Sequence, residues 1–232
     1  MAAACAIAGV GALVGCSGSS FGSDLAVRPA PKLIRDTDGK TMSFPRDGKF
    51  TIRLPQSSKQ AGLSGTVDAD AIVEVGGKAS ARAEVKNGGS GNGTVQLGHL
   101  LKNDTNRQID LEIRTAFHFE FDVSCDPDEK LPGASVGVRL YVRDQRNRLL
   151  REFDLVQHST EQGSVRRASD EVIEFNTTLG PDDAIAVFVA GQAAVETLEG
   201  RSATATLNID GMTMDITTNP APAVQRAADV SN

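Results

Sequence analysis

Between Ile109 and Val123 the chain alternates strictly. Ile109, Leu111, Ile113, Thr115, Phe117, Phe119, Phe121 and Val123 hold the odd positions, and Asp110, Glu112, Arg114, Ala116, His118, Glu120 and Asp122 the even ones. A period of two puts successive side chains on opposite faces of a strand, so the run predicts one buried and one wet face. At about 3.4 Å per residue it would reach roughly 50 Å, longer than an ordinary strand, which predicts a bend or bulge near Ala116. The alternation resumes at Val136, Val138, Leu140 and Val142 and, after a turn through Asp144 to Arg148, at Leu149 to Val156, a hairpin.

Weaker signals fill in the rest. Thr41 to Phe44 and Lys49 to Leu54 flank Pro45-Arg46-Asp47-Gly48, which predicts a hairpin. Val67 to Val85 reads as a second hairpin around Gly76-Gly77. Residues 87 to 93, NGGSGNG, read as a flexible loop, and 158 to 170 as polar and irregular. Strands are expected at Val172 to Phe175, at Ala184 to Ala190, at Ala203 to Ile209 and at Met212 to Ile216, with Gly180-Pro181-Asp182-Asp183 as a turn. The stretch from Ala184 is apolar on both faces and so belongs at the centre of a sheet. About eleven short strands without a long amphipathic helix predict an all-β, antiparallel β-sandwich of jelly-roll type.

The first residues break this pattern. An uncharged, alanine-rich run ends in Leu13-Val14-Gly15-Cys16 and is followed by Ser17-Gly18-Ser19-Ser20. It falls short of the roughly 18 apolar residues of a spanning helix and fits a secretory h-region. The LVGC tetrapeptide resembles the lipobox of prokaryotic lipoproteins. That resemblance implies that Cys16 is lipidated and becomes the mature N-terminus, so that the protein is anchored in the membrane at the cell surface or in the periplasm. Such signals begin with basic residues, whereas the first Lys or Arg here is Arg28, so Met1 is read as an internal start. The expected organisation is a signal segment over 1–16, a flexible tether over 17–32, the sandwich over 33–218 and a disordered Pro-Ala-rich tail over 219–232.

Charge and cysteine use narrow the partners. A net charge of -6 argues against nucleic acid, which rewards excess Lys and Arg. Cys5 would leave with the signal and Cys16 would carry lipid, so Cys125 is the one thiol left in the body and reads as a buried apolar residue rather than half of a disulfide. Sequons at Asn92, Asn103 and Asn176 are candidate glycosylation sites.

Candidate chemistry is sparse. The closing stretch Ala205-Thr206-Leu207-Asn208-Ile209-Asp210-Gly211-Met212 resembles the last strand of extracellular jelly-roll modules, including carbohydrate-binding ones, and the resemblance implies a calcium-holding role for Asp210. The loop Asp126, Asp128, Glu129 offers hard oxygen ligands suited to calcium, and Asp36-Thr37-Asp38-Gly39 begins like a calcium loop but lacks the remaining carboxylates. Sugar faces need exposed aromatic rings, yet the chain has no Trp and one Tyr, Tyr141. His99, His118 and His158 are isolated, and no Ser stands in a Gly-x-Ser-x-Gly elbow. The glycine run at 87–93 has no Lys-Ser/Thr after it and so does not read as a nucleotide loop. Arg166-Arg167-Ala168-Ser169 reads as a solvated loop. His118, Glu120 and Asp122 share one strand face about 7 Å apart and form the candidate binding face. The expectation is a non-catalytic binding or scaffolding protein of the cell envelope, with an envelope protein or glycan as partner and no cofactor unless calcium. A carbohydrate-binding accessory module or extracellular hydrolase is the alternative, and a self-assembling envelope subunit a third.

Overall fold

In the computed structural model the described residues are 29–35, 39–126 and 133–220. Two sheets pack face to face. Sheet I holds β1 (Lys32–Ile34), β3 (Ile52–Ala61), β6 (Gly89–Asn103), β8 (Ala134–Asp144), β9 (Leu149–Ser159) and β11 (Ala184–Thr197). Sheet II holds β2 (Thr41–Phe44), β4 (Thr66–Val73), β5 (Ala79–Lys86), β7 (Ile109–Asp126), β10 (Val165–Leu179) and β12 (Ser202–Pro220). From β5 onward the strands interleave in the jelly-roll order, β5-β12-β7-β10 in one sheet and β6-β11-β8-β9 in the other. Every pairing is antiparallel except that of β1 with β6.

The alternation in β7 holds over its whole length. All eight odd positions from Ile109 to Val123 are buried, and Phe119 and Phe121 stack with ring centroids 6.3 Å apart. β11 lies between β6 and β8 and is buried on both faces, as its composition implies. The hairpins β4–β5 and β8–β9 also form as read. The expected irregularity near Ala116 is present, but its extra residue belongs to β12. Asp210 pairs with His118 and Thr213 with Ala116, so Gly211 and Met212 together face Phe117. The two expected closing strands are therefore one strand with a bulge. That bulge marks the point where β12 changes its other neighbour from β5, which ends opposite Ile209, to β2, which begins opposite Met214. Between the two, Met212 N donates to Gly77 O across 3.0 Å. Gly77 has φ +86°, and a Cβ there would stand 2.5 Å from Met212 O, so the hairpin tip requires glycine.

Several expectations are corrected. Thr41–Phe44 and the strand beginning at Ile52 do not form a hairpin. The turn between them, entered through a cis Phe44–Pro45 bond, carries the chain from sheet II to sheet I. The glycine-rich run is not a loop: from Gly89 it is the first half of β6, paired with β3 on one side and β11 on the other. The facing sheet explains why. A Cβ on Gly93 would stand 2.5 Å from Asp70 O, and one on Gly91 3.0 Å from Val67 Cγ1, so β4 and β5 come closer than larger side chains would allow. Residues 158–170 are not irregular either. β9 runs to Ser159, a single 3-10 turn follows at Thr160–Gln162, and β10 starts at Val165, so Arg166-Arg167-Ala168-Ser169 is strand. β10 lies at the edge of sheet II, where a polar sequence on both faces is tolerated and leaves no alternation to read. β12 runs to Pro220, beyond the expected end of the sandwich at 218. Cys125 is half-buried against the core rather than fully inside it.

Candidate functional site

The even side chains of β7 all leave the core and form the middle of sheet II's outer face. His118, Glu120 and Asp122 share that face, as the period requires. The structure adds partners that the sequence separates widely. His118 Nδ1 stands 2.9 Å from Asp170 Oδ1 on β10, and the register places Asp210 of β12 on its other side. Lys78, at the tip of the β4–β5 hairpin, continues the row with Nζ 3.2 Å from Asp210 Oδ1. One row in which acidic and basic side chains alternate, Asp170-His118-Asp210-Lys78, thus crosses the sheet. A second row repeats the pattern: Arg114 Nε is 2.9 Å from Glu174 Oε1 and its Nη1 3.9 Å from Asp215 Oδ2. Glu120 accepts from Arg166 Nε across 2.6 Å.

The bulge shapes this surface. It opens a shallow depression of about 430 Å³ between His118, Asp170, Val172 and Gly211. A second, of about 280 Å³, lies between Ile72, Lys78, Asn208 and Asp210, so Asp210 forms the ridge shared by the two. Ile72 and Val172 border them with 49 % and 54 % of their surface exposed, an apolar lip on each side of a polar row. Lys78 beside Asp210, then the Gly211 N–H on its Oδ1 at 2.7 Å, hold that carboxyl below the usual carboxylate range. Glu120 likewise raises the Arg166 guanidinium above its ordinary value.

The other candidate residues disperse. Asp126 ends β7 with its side chain in solvent, and its companions Asp128 and Glu129 lie outside the described residues, as do Cys16, the LVGC run, Cys5 and Asp36 to Asp38. Among the described residues no group of three or more His, Cys, Asp or Glu side chains is close enough to hold a metal ion. Asp210 is occupied by Lys78 and its own bulge. Asn176 is exposed on the edge strand β10, and Asn92 is half-buried on β6, where its Oδ1 accepts from Gln192 Nε2 at 2.8 Å. Asn103 is a correction. It is wholly buried, its Nδ2 lying 2.8 Å from Arg107 O and 2.9 Å from Gly180 O while its Oδ1 takes Thr105 N and Oγ1, so the folded chain offers no glycan acceptor there. Sequence reasoning missed Asp170 and Arg166 because both lie in the stretch read as irregular. It missed Lys78 because only the hairpin geometry brings it to Asp210. The signal that existed was Asp210-Gly211, a turn-forming pair inside an apolar run.

His99 lies apart from this surface. It faces the core from β6, between Phe44 and Phe50 at ring centroid distances of 4.0 and 5.1 Å. Burial, followed by the charge of Lys32, lowers its pKa to about 3. His158 is half-buried at the end of β9, where its Nε2 lies 3.0 Å from Gly163 O.

No protein family and no curated protein matches the chain. Among solved structures it is similar to an arabinose-bound α-L-arabinofuranosidase, at 12% identity over 72% of this chain and 27% of that one, with a TM-score of 0.25. It is also similar to the lectin UEA-II complexed with galactose, at 12% identity over 72% of this chain and 98% of the lectin, with a TM-score of 0.27. A third similarity is to the infectious bursal disease virus Gx strain structure, at 9% identity over 82% of this chain and 42% of that one, with a TM-score of 0.22. The chain thus spans about a quarter of the arabinofuranosidase chain and less than half of the viral one.

Proposed function

We propose that this protein is an exported, lipid-anchored component of the cell envelope whose β-sandwich binds a partner, without catalysis, through the outer face of sheet II around the Asp210–Gly211 bulge. The observation that carries the reading is the Asp170-His118-Asp210-Lys78 row, set between the exposed aliphatic side chains of Ile72 and Val172. Its acids and bases are paired across the ladder in open depressions. A partner can exchange such pairs for its own and bury the two apolar lips, whereas acid-base catalysis asks for groups held in a closed, water-excluding cleft. The anchor rests on Leu13-Val14-Gly15-Cys16 and the Ser-Gly stretch behind it.

The test uses the chain expressed behind a basic leader in a bacterial host. A His118→Ala/Val172→Asp/Asp210→Ala variant is expected to keep the wild-type melting temperature and to lose the species that cross-link to wild type on intact cells. Equal recovery of the same species from wild type and variant would overturn the assignment of this face. For the anchor, wild type should enter the detergent phase and Cys16→Ser the aqueous phase, and equal partitioning would overturn it.

A further inference from the structure

A strand at a sheet edge turns the backbone N–H and C=O of every second residue away from its neighbour, and such groups pair with an extended chain that reaches them. Most edges of this sandwich are blunted. β1 and β2 are three and four residues long. β3 carries Pro55, which has no N–H to offer. β9 slips twice in its pairing with β8, after Val138 and after Val142, so bulges kink its open side. β4 is eight residues long, and its Asp68 is drawn to Lys59 of β3 across 2.8 Å. β10 has none of these devices. It runs for 15 residues without Gly or Pro, matches β7 residue for residue from Val165 to Leu179, and has no second strand beside it among the described residues.

The side chains of β10 say which chain fits. Arg166 and Arg167 come first and Asp170, Glu171 and Glu174 follow, so the charge changes sign along the strand. Arg167, Ser169 and Glu171 lie opposite Phe121, Phe119 and Phe117 and so take the inner phase. Arg167 is exposed there, and neither it nor Glu171 makes an ion pair among the described residues. Inward charges of this kind turn away a strand that does not answer them. A second copy, run antiparallel, answers both.

We propose that β10 pairs with β10 of a second copy about a two-fold axis at Ser169, so that the two sheets II become one. In that register Arg167 faces Glu171 on the inner side, twice in each dimer, and Val165 faces Ile173. On the outer side Arg166 lies diagonal to both Asp170 and Glu174 of the copy. The adjacent registers are worse. An axis one residue later sets Asp170 against Asp170, and one residue earlier sets Val165 against Glu171. The pairing uses the edge of β10 and not the depressions beside the bulge, so it stands or falls separately from the reading of that face.

Sedimentation of the full chain, with its thiols kept reduced, tests the pairing. Wild type should form a dimer whose share rises with concentration. Arg167→Glu and Glu171→Arg should each weaken it at least about tenfold, because each sets two like-charge pairs face to face. The Arg167→Glu/Glu171→Arg double variant should dimerise as wild type does, and all three should keep a cooperative sheet transition in circular dichroism. A wild type that stays monomeric through the micromolar range would overturn the proposal. So would single variants that dimerise as tightly as wild type, or a double variant no tighter than the singles. If Glu171→Arg does not fold, Glu171→Gln is read in its place, with a smaller loss expected.

Discussion

His99 and His118 are the same residue type on consecutive long strands, and they live in opposite chemistries. His99 sits inside the sandwich between two phenylalanine rings, with Thr51 Oγ1 3.4 Å from its Nδ1 and its Nε2 buried without a partner among the described residues. His118 stands in solvent with a carboxylate on either side, one of them 2.9 Å away. The difference comes from the phase of the strand. An imidazole on the inner phase must stay neutral, because nothing there repays the lost hydration of a cation, while one on the outer phase keeps its contact with water and takes carboxylate neighbours. The first is a liability that folding tolerates, and the second is part of a polar surface open to solvent.

Acid gives the largest separation of the two. The folded pKa of His99 is lowered to about 3 from an ordinary value of 6.5. The unfolded chain therefore takes up a proton at this position below pH 6.5 while the folded chain does not. Stability from this residue is full above pH 6.5, falls as the pH drops toward 3, and levels off below that. The whole interval corresponds to about 5 kcal/mol, and the step from pH 7 to pH 4 to about 3 kcal/mol. Urea unfolding at these two pH values should show that loss in wild type in excess of any in His99→Leu, and equal losses in the two proteins would break the comparison.

One position along from His118 the phase reverses. Phe119 is 3 % exposed, so Phe119→Ala should cost about 3 to 5 kcal/mol in equilibrium unfolding through lost contact and a residual cavity. A cost below about 1 kcal/mol would mean that the inner face of β7 is not packed as described.

Asn103 sharpens the contrast from the other strand. It shares the inner phase of β6 with His99 and is equally buried, yet every polar atom of its side chain is engaged, joining the end of β6 to the Leu179–Gly180 corner. Asn103→Ala should cost about 2 to 3 kcal/mol, because it strands the buried Leu179 carbonyl and takes partners from the half-buried Gly180 carbonyl and Thr105 N–H, and that cost should not vary between pH 7 and pH 5. A pH-dependent cost would show that the corner is coupled to a titrating group.

The smallest effect belongs to the outer face. His118→Ala should change stability by no more than about 0.5 kcal/mol, and the change should shrink in salt, since an exposed pair is screened and entropically loose. A larger, salt-insensitive loss would make His118 structural and remove the reason to read its face as free for a partner.

How much of this was legible depended on whether neighbours along the chain or neighbours across it decided the outcome. The β7 alternation, the central placing of β11, two hairpins and the two-sheet class follow from local periodicity and composition, because a period of two already says which atoms must leave water. The outer row was half legible: His118 could be placed on a wet face, but Asp170, Asp210 and Lys78 come from three other segments and join it only through strand register.

What only the tertiary structure decided has one physical cause throughout. Gly91 and Gly93 look like a loop until β4 and β5 press against them, and then the absent side chain is what lets the sheets approach. Arg166 to Ser169 look irregular until β7 supplies their hydrogen bonds. Thr41 to Leu54 look like a hairpin because a turn sequence specifies a reversal but not which sheet receives the returning strand. The sequence by itself determined which face of β7 is apolar and that β11 belongs at the centre of a sheet. The choice of neighbours was left to long-range pairing, since backbone hydrogen bonds are the same for every residue and only packing between distant segments tells one partner from another.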